Sequence, residues 1–158
     1  MNWLLAIAFI FYLTPATAQE WQQFGNDDFG YVFDVPPDYE LTDQFGNEGS
    51  DGAVFKSVAD DGIITVWGIE LPNDDLGVKV KQQIKLYEDE GWEFSHKQLH
   101  ERWAAYSGVK EGRIRYIKAI TICGDRAAFF MMDYDRDLKS EYTPIVTRME
   151  KSMRREGC

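Results

Sequence analysis

The 158-residue chain has little positive charge. It contains 17 Lys and Arg residues against 27 Asp and Glu residues, which gives a formal net charge of −10 at pH 7. Binding to nucleic acids or to anionic membrane surfaces requires clustered Lys and Arg side chains. The only basic cluster, over residues 148–155, is interrupted by Glu150. The composition therefore argues against nucleic acid as a partner.

The sequence also lacks the residue patterns from which common catalytic sites are assembled. A nucleophile needs a base within hydrogen-bond reach, and that base needs an orienting group. His96 and His100 are the only histidines, and neither lies in a recognisable Ser-His-Asp setting. The segment Gly49-Ser50-Asp51-Gly52 does not match the G-x-S-x-G pattern, and no Gly-rich phosphate loop occurs. We therefore predict no catalytic residue and no cofactor.

No charged side chain occurs in the first eighteen residues, MNWLLAIAFIFYLTPATA. An apolar core over Trp3–Leu13, a breaker at Pro15 and the small residues Ala16-Thr17-Ala18 are typical of a secretory signal peptide. We predict a signal peptide over residues 1–18 and export to the periplasm or the cell exterior. A retained anchor is the alternative, because no Lys or Arg precedes the core. However, the eleven apolar residues are fewer than the roughly twenty that span a bilayer.

The rest of the chain, residues 19–158, is predicted to be a single globular domain. The sequence is 44% hydrophobic and 15% aromatic, which is enough to build one core in a chain of this length. No later stretch is long or apolar enough to span a membrane, so no membrane span is expected after cleavage.

Hydrophobic periodicity predicts the order of the elements. The predicted elements are a lead-in over 19–25, a strand over 29–35, a polar loop over 38–52, a hairpin of strands 53–58 and 63–69, a helix from about 75 to 91, strands over 92–98, 102–109, 113–123 and 126–134, and a helix over 138–153. The last helix is expected to be capped by Ser140 or Thr143, with Pro144 in its first turn.

Direct turns between most strands indicate an α+β fold. We expect an antiparallel sheet of about six to seven strands covered by two main helices, in an α/β/α-type sandwich, because each amphipathic helix must bury its apolar face against the sheet.

Several segments of this sequence resemble known proteins. Those similar to the PsbP/Mog1-like fold are Phe-Asp-Val-Pro-Pro-Asp-Tyr at 33–39, Trp-Ala-Ala-Tyr-Ser-Gly at 103–108, Arg-Ile-Arg-Tyr at 113–116 and the closing helix at 142–152. The segments 47–57 and 64–68 resemble uncharacterised exported proteins of alphaproteobacteria. The matching residues are turn and core residues. The resemblance therefore implies a fold and an exported location but no reaction, since members of that fold serve as binding and accessory proteins.

Cys123 and Cys158 are the only cysteines. An oxidising compartment favours a disulfide over two free thiols. The strand after Cys123 runs away from it and the last helix runs back, so the chain end returns near this residue. We predict a Cys123–Cys158 disulfide. A redox-active pair is the alternative, but the C-x-x-C spacing typical of such pairs is absent.

Two weak metal sites can be read from the sequence. His96 and His100 could share one face, with Glu93 or Glu101 as a further ligand; the alternative is two solvent-facing histidines. The carboxylates of Asp133, Asp135 and Asp137 begin like a calcium loop, but Leu138 stands where Gly is needed and Pro144 where a bidentate Glu belongs, which excludes an EF-hand. A looser Ca²⁺ site could use these carboxylates or Asn47, Glu48 and Asp51.

A ligand-binding surface is the remaining candidate. Trp103, Tyr106, Arg113 and Arg115 lie in predicted strands, where aromatic rings could line an exposed patch and the arginines could form an anion-binding face. The alternative is core packing for the aromatic residues and cross-strand pairing with Glu101 and Glu111 for the arginines.

These observations favour an exported, non-catalytic binding or accessory domain whose partner is a protein or a small ligand in the cell envelope. A periplasmic enzyme of unknown type and a weak metal-binding protein are the alternatives.

Overall fold

The computed structural model describes residues 20–47, 50–71 and 75–157. The predicted signal peptide over residues 1–18 lies outside the described residues, as do Glu48 and Cys158. Within the described ranges, no helix combines the length and the apolar character needed to cross a membrane.

The described part of the chain contains ten strands and two main helices. In chain order they are β1 (Gln22–Asn26), β2 (Tyr31–Val35), β3 (Tyr39–Asn47), β4 (Ser50–Ser57), β5 (Ile63–Glu70), α1 (Leu76–Asp89), β6 (Glu93–Leu99), β7 (Trp103–Lys110), β8 (Arg113–Thr121), β9 (Arg126–Asp135), α2 (Lys139–Ser152) and β10 (Arg154–Arg155). A 3₁₀ turn, Arg136–Leu138, precedes α2.

Seven strands form one antiparallel sheet in the order β3-β4-β5-β9-β8-β7-β6. A second antiparallel sheet of three strands has the order β1-β2-β10. Its last strand aligns Arg154 with Val32 and Arg155 with Tyr31, so the segment that follows α2 lies beside β2. The predicted α+β class, with a large antiparallel sheet and two helices, is confirmed. The small second sheet was not predicted.

The prediction of a polar loop over residues 38–52 is wrong. These residues contain β3 and the start of β4, which pair from Tyr39 opposite Ser57 to Asn47 opposite Ser50, with a bulge between Leu41 and Asp43. Apart from Tyr39, every residue of β3 is exposed. An edge strand with so little burial shows no apolar alternation, and its charges discourage pairing with other chains.

The predicted lead-in over residues 19–25 is also wrong in part, because β1 pairs with β2 along its whole length. Residue 29, the predicted start of the first strand, lies in the turn between them. Gly30 in that turn has a φ of 72°, a left-handed conformation that glycine adopts without strain.

The predicted start of α1 is confirmed, and that of α2 is not. The Asp75 side chain accepts a hydrogen bond from the Val78 N–H at 2.7 Å, as an N-cap does. In contrast, α2 begins earlier than either predicted cap, so Pro144 lies inside the helix. The hydroxyl of Thr143 donates to the Lys139 carbonyl at 2.7 Å instead of capping the helix.

Strand β9 contributes alternate side chains to two apolar clusters. One contains Ala128, Phe130 and Met132 of β9 with Tyr142, Val146 and Met149 of α2. The other contains Ala127 and Phe129 of β9 with Leu76, Val80 and Ile84 of α1. Since successive strand residues point to opposite faces, each helix packs against its own face of this strand.

A chain of hydrogen bonds ties α2 to the other end of the large sheet. The hydroxyls of Tyr39 and Tyr142 are 3.0 Å apart, and Tyr142 donates to Asp60 Oδ1 at 2.7 Å. Burial alone would raise the pKa of Asp60, but the hydrogen bonds from Tyr142 and the Gly62 N–H lower it overall. Burial and the bond to Asp60 raise the pKa of Tyr142 to about 12.

Replacing Tyr142 with Phe removes the hydroxyl but keeps the ring, which stacks on Tyr134 at a centroid distance of 4.3 Å. We expect Y142F to lower the free energy of unfolding by about 1–2 kcal/mol at pH 7, because two partners lose a hydrogen bond. Urea denaturation measures it. The control Y134F removes a hydroxyl that makes no hydrogen bond within the described residues, and it is expected to cost less.

The stability difference between wild type and Y142F is expected to depend on pH. The folded pKa of Asp60 lies below its ordinary value of 3.8, so its contribution to stability is present above that pH and is lost as the pH falls through the folded pKa. This difference in the free energy of unfolding is therefore expected to shrink as the pH is lowered from 3.8 through the folded pKa of Asp60. A difference that stays constant down to the acid transition would contradict this assignment.

Candidate functional site

Two clefts lie beside α2, on the side where the helix meets strands β6 to β8, and they share Glu150. The first, of about 320 Å³, is lined by Ser95, Ser107, Gly108, Val109, Ile114, Tyr116, Tyr134, Lys139, Thr143, Val146, Thr147 and Glu150. The second, of about 440 Å³, is lined by Arg102, Trp103, Lys118, Ile120, Thr121, Glu150, Met153 and Arg155. We call the two clefts together the α2 groove.

An ion pair lies at the centre of the α2 groove. Lys118 Nζ is 2.9 Å from Glu150 Oε1, and Lys118 is only 9% exposed. The same ammonium group lies 4.0 Å from the centroid of the Trp103 ring, a distance at which a cation is attracted to an aromatic face. Lys118 comes from β8 and Glu150 from the last turns of α2. The pair therefore fixes the helix against the strand between the two clefts.

Tyr116 forms part of the first cleft, next to this pair. Burial, the charge of Glu150 and a hydrogen bond to that carboxylate raise the pKa of Tyr116 above its ordinary range. The phenol therefore stays protonated and acts as a hydrogen-bond donor at neutral pH, rather than as a base or a nucleophile.

His100 packs on the aromatic residue of the second cleft. The imidazole of His100 stacks on the Trp103 ring at a centroid distance of 4.1 Å. The backbone N–H of His100 donates to the Trp103 carbonyl at 2.9 Å. His96 is exposed and aligns with Ser107 of β7. In the ranges that the structure describes, no group of three or more His, Cys, Asp or Glu side chains could hold a metal ion.

The carboxylates considered for a calcium site have other roles. Asp133 pairs with Arg115, and Asp135 accepts a hydrogen bond from the Asp137 N–H at 2.8 Å at the start of the 3₁₀ turn. Asp51 accepts a hydrogen bond from the Asn26 side chain at 3.0 Å. Glu48 lies outside the described residues.

The prediction of Tyr106 as a surface residue is wrong. It has no exposed area and belongs to the cluster under α1, where its hydroxyl donates to Gln83. Trp103 and Tyr106 are three residues apart on one strand, so they point to opposite faces. Only Trp103 reaches the α2 groove.

The two candidate arginines are already engaged by carboxylates of this chain. Arg115 makes two hydrogen bonds to Asp133, at 2.8 and 2.7 Å, and Arg113 bonds to Asp61. The predicted partners Glu101 and Glu111 are therefore wrong, because the structure pairs Arg113 with Asp61 and Arg115 with Asp133.

Arg115 is half-buried and is surrounded by aromatic side chains. Its guanidinium lies 4.0 Å from the centroid of the Trp92 ring and 4.5 Å from that of Tyr87. Burial by itself would lower the pKa of Arg115, but the hydrogen bonds and charge of Asp133 raise it overall. This arginine holds the end of α1 against the sheet and does not form an open anion-binding face with Arg113.

Lys118 and Glu150 were not predicted as site residues. Lys118 lies in a segment predicted as a strand and Glu150 in a segment predicted as a helix. The two residues are 32 positions apart, so no short sequence motif indicates that they meet. The only sequence signal is a lysine on a strand that is otherwise mostly apolar, which requires a buried partner.

Comparison with known structures identifies the fold. The chain is similar to the solution structure of the cyanobacterial PsbP protein (CyanoP) from Synechocystis sp. PCC 6803, with a TM-score of 0.69 and 15% sequence identity, over 92% of this chain and 98% of that one. The predicted PsbP-like fold is therefore confirmed. No protein-family model matches the sequence, and no curated protein matches it. The resemblance to exported alphaproteobacterial proteins stays a prediction.

The coupling between Lys118 and Glu150 can be measured. We expect E150Q to lower the free energy of unfolding by about 1–3 kcal/mol, because the change leaves a nearly buried ammonium group without its counter-charge. The double variant K118M/E150Q is expected to lose less stability than the sum of the losses in K118M and in E150Q. Urea denaturation of wild type, K118M, E150Q and the double variant gives the coupling energy between the two side chains. A coupling energy of zero would show that the pair does not hold α2.

Proposed function

We propose, from its PsbP-like fold, that the chain is an exported, non-catalytic binding or accessory domain that engages its partner through the α2 groove. In this proposal residues 1–18 are a signal peptide, residues 19–158 are the working domain, and the partner is a protein or a small ligand in the cell envelope. The layer order of that domain is helix, large sheet, helix, as in an α/β/α-type sandwich, which the alternate packing of β9 supports.

The shape and chemistry of the α2 groove carry this proposal. The groove is open, and it places apolar, aromatic and charged groups side by side, as binding surfaces do. Its central charges are paired with each other, and its tyrosine is held protonated. Within the described ranges, neither imidazole forms a hydrogen bond to a Ser, Asp or Glu side chain, so the groove holds no nucleophile activated by histidine.

A disulfide between Cys123 and Cys158 is part of the proposal. A Cβ added to Gly30 would lie 3.1 Å from Cys123 Sγ and 2.9 Å from the Glu156 carbonyl oxygen. The Glu156 N–H also donates to the Gly30 carbonyl at 2.9 Å. Glu156, two residues before Cys158, therefore lies close to the Cys123 sulfur. Because consecutive Cα atoms are about 3.8 Å apart, two further residues are enough for the chain to reach that sulfur. The described ranges contain no free cysteine.

The C123S variant is expected to lower the free energy of unfolding by about 3–4 kcal/mol, since a bridge closing this loop restricts the unfolded chain. Urea denaturation measures the change, and wild type under reducing conditions is the matched control, which should reproduce the variant. Intact mass after thiol alkylation gives an independent readout. Two alkylated thiols in the unreduced, exported protein would contradict the bridge.

The binding role is tested by capture from a periplasmic extract on immobilised mature protein. Thr147 is exposed in the first cleft, and Gln82 is exposed on α1, away from the groove. We expect wild type and Q82R to retain the same partner, and T147R to lose it, because the added side chain fills the cleft.

The enzyme alternative is tested on the same proteins with broad hydrolase substrates. The binding proposal predicts no turnover above the level of a mock purification. Robust turnover that a single substitution in the α2 groove abolishes would overturn it.

A further inference from the structure

We propose that the second cleft of the α2 groove binds an acidic polypeptide segment, whose carboxylates pair with Arg102 and Arg155. This inference rests on the proposed binding function and names the chemistry of the partner.

Arg102 and Arg155 line the same cleft and are both exposed. Other arginines of the chain are committed: Arg113, Arg115 and Arg148 each bond to an aspartate. No carboxylate among the described residues pairs with Arg102 or Arg155. In a chain with ten more acidic than basic residues, two such guanidinium groups at one cleft form a local positive site.

The acidic residue in the cleft does not cancel this charge. Glu150 is engaged by Lys118 at 2.9 Å, so the ion pair is internally neutral. The charges of Arg102 and Arg155 therefore remain available to a ligand. A guanidinium group matches a carboxylate with two parallel hydrogen bonds, which a lysine ammonium cannot do.

The floor of the cleft is apolar. Ile120 and Met153 line it, and Trp103 stands beside them, partly buried between its contacts with His100 and Lys118. A ligand that fits this floor carries an apolar side chain next to its carboxylates. A polypeptide segment with Asp or Glu beside a Phe or Leu meets both requirements, whereas inorganic phosphate meets only the first.

The charge of the whole protein favours a short segment over a long polyanion. The net charge of −10 repels nucleic acids and anionic membranes, which present their charges across the whole surface. Screening limits interactions between exposed charges to about 8 Å at physiological ionic strength. A short acidic segment in the cleft therefore interacts mainly with Arg102 and Arg155.

The test uses the mature protein and a fluorescein-labelled octapeptide that contains Asp, Glu and Phe, with fluorescence anisotropy as the readout. The comparison peptide replaces Asp and Glu with Asn and Gln. We expect saturable binding of the acidic peptide that weakens as salt is added. We expect at least tenfold weaker binding of the amide peptide to wild type, and of the acidic peptide to R102Q/R155Q.

The matched control is R136Q, which removes an exposed arginine far from the cleft and is expected to bind like wild type. Circular dichroism checks that the variants keep the fold. Equal binding of both peptides, or undiminished binding by R102Q/R155Q, overturns the proposal. So does full displacement by millimolar phosphate, or tighter binding to phosphatidylglycerol vesicles than to the peptide.

The two proposals fail in different ways. If a partner is captured through the first cleft while the acidic peptide does not bind, only the assignment of the acidic segment is wrong. If the groove supports turnover of a hydrolase substrate, the proposed binding function itself is wrong, whatever the peptide does.

Discussion

The packing of β9 on both of its faces is the constraint on which the rest of the structure depends. This strand pairs with β5 on one side and β8 on the other, so it joins the strands from the first half of the chain to the meander from the second half. Its ten residues, Arg126–Asp135, also supply alternate side chains to both apolar clusters. A polar residue in place of a buried β9 residue such as Phe129 or Phe130 would therefore disturb both the sheet and the packing of one helix against it.

The position of α2 follows from β9, because only the short 3₁₀ turn separates them. Tyr142 near the start of the helix reaches Asp60, and Glu150 near its end reaches Lys118. These two polar contacts hold the helix at both ends, while the apolar cluster holds it between them. The α2 groove is the space that remains beside a helix held in this way. Its shape is therefore a consequence of the core and not of a mobile loop.

The sequence predicts best where burial produces a regular pattern. Strand β9 contains a continuous apolar run over residues 127–132, which is typical of a strand buried on both faces, and helix α1 has apolar residues at helical spacing. Both could be placed from the sequence alone, as could the Asp75 cap. Strand β3 could not, because an exposed edge strand needs no apolar alternation. The centre of the groove could not be found either, since Lys118 and Glu150 meet only through tertiary packing. The arginine candidates were recognised as charged strand residues, but their partners Asp61 and Asp133 depend on strand order.

The central claim is that the working surface of this PsbP-like domain is the α2 groove. Hydrogen exchange of residues 19–158, with and without any partner that the capture experiment identifies, tests this claim most directly. Binding at the groove predicts added protection in the segments that cover β7 and the second half of α2, with α1 and β3 unchanged. Protection confined to α1 or to the exposed edge of β3 would contradict it.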